Sequence, residues 1–458
     1  MLSNIYNITS YYQRLNVVLR YTGIVTSVVV LLFNRSDITF LFILPLSYSL
    51  SMYLVRNYYE HLGLAISIIE ITKFCRLIIL PILIIVENRF DGYDYYPMFH
   101  NQACFIIVYD TLCVSIILYI MYNKQKLIAV KRSNDGFSLS QWVLIVAWLV
   151  VVFIDSKLMN RLFNFTSVLM EYSFDSEDLT GGIPLIIYSS GIIVLYINII
   201  RLVKQIIKED SLSLLLSILV SILYASCCWF NGAFVSRWSL LLSIVISMGT
   251  LNYYYTEKRK SIINGGIFFM SLAIVIASFL KQYSFGNVDM SISDSISEYL
   301  SSRWFDEYFS GIRCTSNGIH TVLKHAREVG WGHFFHDWFG GCPMINHVLG
   351  TDKLEYTNMF YREDMDAFQL IAPTTTMSQI VFGWIGVSFY SCIAAFFAIF
   401  FESLYLRTSV FHVKILVIPL IFWLSLFWAV NPNIIQNNVW KYLLVALVLY
   451  IPALIQKK

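Results

Sequence analysis

The chain has 458 residues, of which 57% are apolar and only 13% are charged, and its mean hydropathy is +0.65. A soluble globular domain usually carries about 25% charged residues, so this chain lacks the polar surface that water requires. Its composition instead predicts lipid around much of its exterior. The net charge of +3 is too small to indicate nucleic-acid binding.

Apolar runs of about 20 residues, long enough to cross a bilayer as a helix, recur along the chain. They predict an all-α polytopic membrane protein with about 12 transmembrane helices and one large, partly helical extracytoplasmic loop. The helices are placed near 16–34, 38–55, 63–86, 103–122, 138–154, 183–200, 211–229, 233–251, 262–280, 375–402, 410–430 and 438–455. Helices 1–9 thus occupy residues 1–280, the loop occupies 281–372, and helices 10–12 occupy 373–458.

The charges between these helices predict the orientation of the chain. Basic connections, such as Lys124 to Arg132, Arg201 to Lys208 and Lys258 to Lys260, alternate with acidic or uncharged ones. Lysine and arginine gather in short cytoplasmic loops. The pattern therefore predicts that both termini are cytoplasmic and that the large loop lies on the outer face.

The large loop, residues 281–372, is the main polar part of the chain. Two stretches within it, SISDSISEYLSSRWFDEYF and GIHTVLKHAREVG, are amphipathic at helical spacing. Loops of this length are usually functional. The loop also holds Cys314 and Cys342, and an oxidising outer compartment would permit a disulfide between them, with two free thiols as the alternative.

Ionisable residues inside predicted helices are candidates for function because charge is costly in a bilayer. Arg237 lies four residues into the eighth helix, near the outer leaflet, where its guanidinium can bind a phosphate or extend to the interface. The third helix carries Glu70, Lys73 and Arg76 at spacings of three. This spacing favours a structural Glu70–Lys73 ion pair, with a polar lining for a lipid headgroup or a translocation path as the alternative.

The loop supplies side chains suited to group transfer. Its arginines can neutralise a diphosphate leaving group, and a carboxylate or histidine can accept a proton from a sugar hydroxyl. The candidate cations are Arg303, Arg313, Arg327 and Arg362, and the candidate bases are His333, His336, Asp337 and Glu363. Each residue alone also fits a solvated loop charge or a packed side chain. Their concentration in one loop is what predicts a site there.

Common cofactor signatures do not occur in the sequence. The pair His333 and His336 has no accompanying zinc-ligand spacing, so no metal is expected. Walker, dinucleotide-binding and Gly-x-Ser-x-Gly motifs do not occur either. The sequence therefore predicts a reaction driven by an activated substrate, with no cofactor.

Two segments and the long late loop carry a family resemblance. AFVSRWSLLLSIVIS brings a small-residue stretch and Arg237 into an apolar helix, and APTTTMSQIVFGWIGVSFYS leaves the loop through Pro373 with Gly383 and Gly386 following. Across residues 230–400 the chain resembles the Wzy-type O-antigen and capsule repeat-unit polymerases of bacteria. It departs from them in one respect: their pattern of an arginine followed about ten residues later by glycine is shortened here, from Arg303 to Gly311.

The resemblance implies an enzyme that polymerises undecaprenyl-diphosphate-linked oligosaccharide repeat units into O-antigen or capsular polysaccharide. It would act at the periplasmic face of the bacterial inner membrane, on a lipid-linked glycan donor and acceptor. A flippase and a chain-length regulator are the expected protein partners, with no nucleic acid. On this interpretation Arg237 and Arg303 hold the diphosphate, Arg313 or Arg362 assists, and one of the four candidate bases accepts the proton.

Two other functions remain open at this point. A membrane glycosyltransferase or ligase with a polyprenyl-phosphate donor often has an acidic pair in its first outer loop, but the loop around Arg35 and Asp37 is too short to make a site. A polysaccharide flippase or transporter suits twelve helices. Such proteins usually have two similar halves and short outer loops, and neither is visible here.

Overall fold

The computed structural model describes residues 2–55, 63–87, 96–124, 139–155, 158, 183–229, 237–284, 301–351, 353–366 and 370–455. Helices make up 83% of the structure and no strand occurs in these ranges, which confirms the all-α class. Five helices within them are long and apolar enough to cross a membrane: Arg14–Phe33, Pro97–Tyr122, Ile183–Ile206, Asp210–Cys228 and Phe389–Arg407. The count of twelve spans and the orientation remain predictions.

The chain divides into two compact units. The first contains Met1–Ala129, Ser297–Leu404 and Ile421–Val439, and the second contains Val130–Ile296, Tyr405–Leu420 and Trp440–Lys458. The candidate loop residues, from Arg303 to Glu363, all belong to the first unit.

The first unit begins with five long or medium helices. They are α1 Leu2–Phe33, α2 Ile43–Leu54, α3 Leu64–Phe74, α4 Leu80–Glu87 and α5 His100–Lys124, with a π turn at Cys75–Ile79 and a 3₁₀ turn at Pro97–Phe99. The start of α3 is capped by the buried Glu402, which accepts a hydrogen bond from the backbone N–H of Ala65 at 3.0 Å. A Cβ at Gly63 would lie 2.0 Å from the Glu402 carboxylate, so this cap requires glycine.

Within the described residues, the second unit contains the helices that follow and parts of later ones. They are α6 Leu139–Ile154, α7 Ile183–Ile206, α8 Asp210–Trp229, α9 Arg237–Tyr254 and α10 Arg259–Ser284. Hydrogen bonds between polar side chains tie these apolar helices together. The Tyr255 hydroxyl lies 2.7 Å from the hydroxyls of both Ser213 and Ser217. Gln141 lies 2.8 Å from His412.

The predicted outer loop is folded into short helices. These are α11 Ser302–Tyr308, α12 Ile312–His325, α13 Trp331–Phe339, α14 Pro343–Val348 and α15 Thr357–Asp364, followed by α16 Thr374–Phe382, α17 Phe389–Arg407, α18 Phe411–Ser425 and α19 Pro432–Ile455. The single helix predicted over 375–402 is wrong. It is interrupted at Gly383, whose φ of 70° and ψ of −166° form a backbone conformation that is essentially restricted to glycine.

Helices α11 and α12 form a hairpin that packs deep in the first unit. At its tip, the carbonyl of Ser310 accepts a hydrogen bond from Nε of Arg76 at 3.0 Å. Arg76 also pairs with Asp110, at 3.2 Å, and Asp110 lies about 15 Å along the axis of α5 from His100. The hairpin tip therefore reaches roughly half-way along a candidate membrane span.

The second arm of this hairpin, α12, is buried although its side chains are largely polar. Thr315, Ser316 and Asn317 are all enclosed. It approaches α16 closely at Gly318, where a Cβ would lie 1.9 Å from the hydroxyl oxygen of Thr376. The glycine thus allows two polar helices to meet, and the predicted loop becomes part of the interior of the unit.

Candidate functional site

Helix α11 is held in place at both ends. At its start, the backbone N–H and the hydroxyl of Ser302 donate to the Glu87 carboxylate at 2.7 and 2.5 Å. Near its end, the Asp306 carboxylate accepts the backbone N–H groups of Arg313 and Cys314 at 3.0 and 2.9 Å, which caps α12. The side chains on the remaining faces of α11 are therefore presented by a fixed backbone.

One face of α11 carries a carboxylate between two arginines. Oε1 of Glu307 lies 2.9 Å from Nη2 of Arg313 and 3.6 Å from Nε of Arg303. The Arg303 side chain is 38% exposed and that of Glu307 is 24% exposed, whereas Arg313 is buried. The cluster has a formal charge of +1, with Arg303 and Glu307 partly exposed and Arg313 buried behind them.

The protonation of Glu307 reflects two opposed effects. Burial raises the pKa of its carboxyl, and the positive charges of Arg313 and Arg303 lower it. The net shift is upward from the ordinary value, because desolvation of the charged form outweighs the attraction of the two guanidinium groups. Such a carboxylate is a stronger proton acceptor than an ordinary glutamate.

An aromatic pair lies beside the charged face. The rings of Trp304 and Tyr308 stack with their centroids 5.2 Å apart and their planes 13° from parallel. Each is one residue beyond a member of the Arg303–Glu307 pair, so the two pairs form neighbouring ridges on α11. Both rings are half-buried and offer a partly accessible apolar surface next to the charges.

Asp337, a candidate base from the sequence, is completely buried. Its carboxylate accepts hydrogen bonds from the backbone N–H and the hydroxyl of Thr357, at 3.1 and 2.7 Å, and from the hydroxyl of Tyr390, at 3.0 Å. Burial raises the pKa of Asp337 to about 7. This residue joins α13, α15 and α17, and its carboxylate lies inside the fold, away from solvent.

The other three candidate bases are separate from the α11 cluster in their contacts. Nδ1 of His333 accepts the backbone N–H of Gly330 at 3.2 Å and so helps to begin α13. His336 is buried and stacks on Tyr356, with ring centroids 4.1 Å apart. Glu363 is exposed on α15.

The structure brings together two of the four arginines proposed to bind diphosphate, Arg303 and Arg313. Nε of Arg362 donates instead to the carbonyl of Leu370 at 3.1 Å, which fastens the end of the folded segment. Arg237 is the first residue of α9 and belongs to the second unit.

Cys314 and Cys342 are both buried free thiols, so the predicted disulfide is not formed in this structure. Cys314 lies in the first turn of α12, where Asp306 binds its backbone N–H. Cys342 precedes α14 and donates its own N–H to the carbonyl of Phe339 at 2.9 Å.

No group of three metal-binding side chains occurs among the residues that the structure describes.

Sequence reasoning did not select Glu307, Trp304 or Tyr308, although a signal was present. Arg303 and Glu307 are four residues apart within a stretch predicted to be helical, as are Trp304 and Tyr308. The hairpin that brings Arg313 onto Glu307 could not be predicted from that spacing.

Comparison with protein-family models, curated proteins and solved structures finds no match to this chain.

Proposed function

We propose that this protein polymerises polyprenyl-diphosphate-linked oligosaccharide repeat units at the outer face of a bacterial inner membrane, the activity that the sequence resemblance implies. The observation that carries the proposal is the face of α11, where accessible Arg303 and Glu307 lie above buried Arg313 and beside the Trp304–Tyr308 pair. These are the groups that transfer of a glycan from a lipid diphosphate requires.

Arg303 is the side chain suited to contact the diphosphate. Its guanidinium has planar N–H donors that match phosphate oxygens, and its side chain is 38% exposed beside Glu307. Buried Arg313 adds a second positive charge beneath the site, in surroundings where solvent screening is weak. The pair stabilises the negative charge that develops on a departing diphosphate.

The aromatic ridge is suited to the glycan. Trp304 and Tyr308 present apolar ring surface that can pack against the C–H faces of a sugar while hydroxyl groups remain in water. The donor and acceptor are both lipid-linked glycans in this proposal, supplied by a flippase and limited in length by a regulator. Arg237 and Arg362 stay predicted contributors.

The test is deletion of the gene in its host, with surface glycans separated by size on a gel. We expect the ladder of long chains to collapse to single repeats and wild type to restore it. We expect Arg303→Ala to lower chain extension by roughly 10–100-fold, because one charge-assisted contact is worth about 1.5–3 kcal/mol. The exposed Arg327 of the same segment provides the matched control, Arg327→Ala, which should restore the ladder fully.

Three results would overturn the proposal. An unchanged ladder in the deletion strain would exclude polymerisation. A ladder of normal length in which every band shifts would indicate a glycosyltransferase that decorates the repeat. Lipid-linked units that accumulate on the cytoplasmic face would indicate a flippase.

A further inference from the structure

The two carboxylate oxygens of Glu307 are used unequally. Both arginine contacts are made to Oε1, at 2.9 Å from Arg313 and 3.6 Å from Arg303. Among the residues that the structure describes, none donates a hydrogen bond to Oε2 of Glu307. Asp337, in contrast, is fully enclosed and accepts three hydrogen bonds.

From this arrangement we infer that Glu307 is the catalytic base of the glycan transfer, with Oε2 as the atom that receives the proton. The inference rests on the proposed function and deepens it by naming the base. Glu307 is not one of the four bases predicted from the sequence. Arg313 fixes the carboxylate through Oε1 and the side chain remains a quarter exposed, so Oε2 can face a substrate in the space beside Arg303.

The reaction balances without a cofactor. A hydroxyl oxygen of the acceptor sugar forms a bond to the anomeric carbon of the donor glycan, and its proton passes to Oε2 of Glu307. The bond from the anomeric carbon to the diphosphate oxygen breaks, and polyprenyl diphosphate leaves with the bonding electrons and with its charge held by Arg303. The proton on Glu307 is then released to water, which restores the carboxylate.

A structural role for Glu307 is the competing explanation, because a carboxylate could serve only to align the two arginines. Glu307→Gln separates the two roles. The amide oxygen still accepts a hydrogen bond from Arg313, so the alignment is retained, but the side chain no longer accepts a proton. Glu307→Asp keeps a proton acceptor and shortens the side chain.

The experiment uses the full chain in lipid nanodiscs with a synthetic polyprenyl-diphosphate-linked repeat as donor and acceptor. We expect Glu307→Gln to lower kcat by roughly 100-fold or more with KM nearly unchanged, as for loss of a general base. Glu307→Asp should recover part of kcat. The wild-type rate should rise with pH through an acidic limb, because the base acts when deprotonated, and this limb should disappear in Glu307→Gln.

The matched control is Glu355→Gln, at an exposed glutamate of the same segment, which should keep wild-type kcat. The inference is overturned if Glu307→Gln retains kcat within about threefold of wild type, or if its loss is a rise in KM with the acidic limb intact. If Glu307→Gln folds poorly, the pH–rate profile of Glu307→Asp decides instead. Its acidic limb must lie at a different pH from that of wild type, and an unmoved limb overturns the inference. Wild-type protein that fails to extend the repeat refutes the proposed function itself, a separate outcome.

Discussion

The interior of the first unit contains a charge pair whose contribution to stability can be tested directly. Arg76 and Asp110 are 1% and 0% exposed. Oδ2 of Asp110 accepts hydrogen bonds from Nη1 of Arg76 at 3.2 Å and from the indole N–H of Trp428 at 2.6 Å. Asp110→Asn removes the negative charge of this pair and leaves the Arg76 guanidinium buried without its ion-pair partner.

Loss of one partner from a buried ion pair costs about 3–5 kcal/mol, because the remaining charge is left desolvated and uncompensated. At about 2–4 °C per kcal/mol for a unit of this size, the midpoint of thermal unfolding should fall by roughly 6–20 °C. The assay is thermal unfolding of the purified protein in detergent, followed by intrinsic fluorescence. Asp37→Asn, at an exposed carboxylate of the same unit, is the control and should leave the midpoint unchanged.

A double variant separates charge from packing. Arg76→Met with Asp110→Leu replaces both charges by apolar side chains, so no uncompensated charge remains, and roughly half or more of the lost stability should return. If Asp110→Asn unfolds at the wild-type midpoint, the pair is not the buried electrostatic contact described here. A double variant no more stable than the single one would show that the hydrogen bonds to Ser310 and Trp428 dominate instead.

Two further predictions concern the folded segment and its exit. Burial raises the pKa of Asp337 to about 7. The stability that this shift contributes is fully present below the unfolded pKa and is lost as pH rises through about 7. The unfolding midpoint of wild type relative to Asp337→Asn should therefore be higher at pH 5 than at pH 8, and an equal difference at both pH values would contradict the assignment. Gly383→Ala should destabilise by about 1–3 kcal/mol because of the positive φ, measured by the same unfolding assay. Gly330→Ala, at a glycine with negative φ and open space around it, should cost far less.

Contacts within one helix were predictable from the sequence, and contacts between helices were not. The spacing of Glu70 and Lys73 predicted an ion pair, and their side chains lie 2.5 Å apart, which confirms it. Arg76 lies on the same helix, yet its partner Asp110 is 34 residues away on α5. Spacing along a single helix gives no information on the rotation of a neighbouring helix, so this pair was missed.

The folded segment shows the same limit at the candidate site. Its helical stretches were predicted from amphipathic spacing: α11 lies within the first, whereas α12 begins at Ile312, six residues before the second stretch starts at Gly318. The sequence pattern does not reveal that α12 buries its polar side chains, because amphipathicity identifies a face without identifying what covers it. The eight predicted site residues were therefore chosen by chemistry alone, and only Arg303 and Arg313 are in contact with one carboxylate.

The Arg76–Asp110–Trp428 contact has a consequence for biosynthesis. Trp428 follows Asp110 by 318 residues, and at about 5–20 residues per second a ribosome needs roughly 15–60 s to add them. A single charge at the centre of a bilayer costs about 2.5–3.5 kcal/mol on insertion scales. If the helix that carries Arg76 crosses the bilayer as predicted, it is best inserted together with α5. Arg76 and Asp110 then neutralise each other while the hairpin tip and Trp428 are still to be synthesised. Nascent chains that end before Trp428 therefore lack the indole N–H that donates to Asp110.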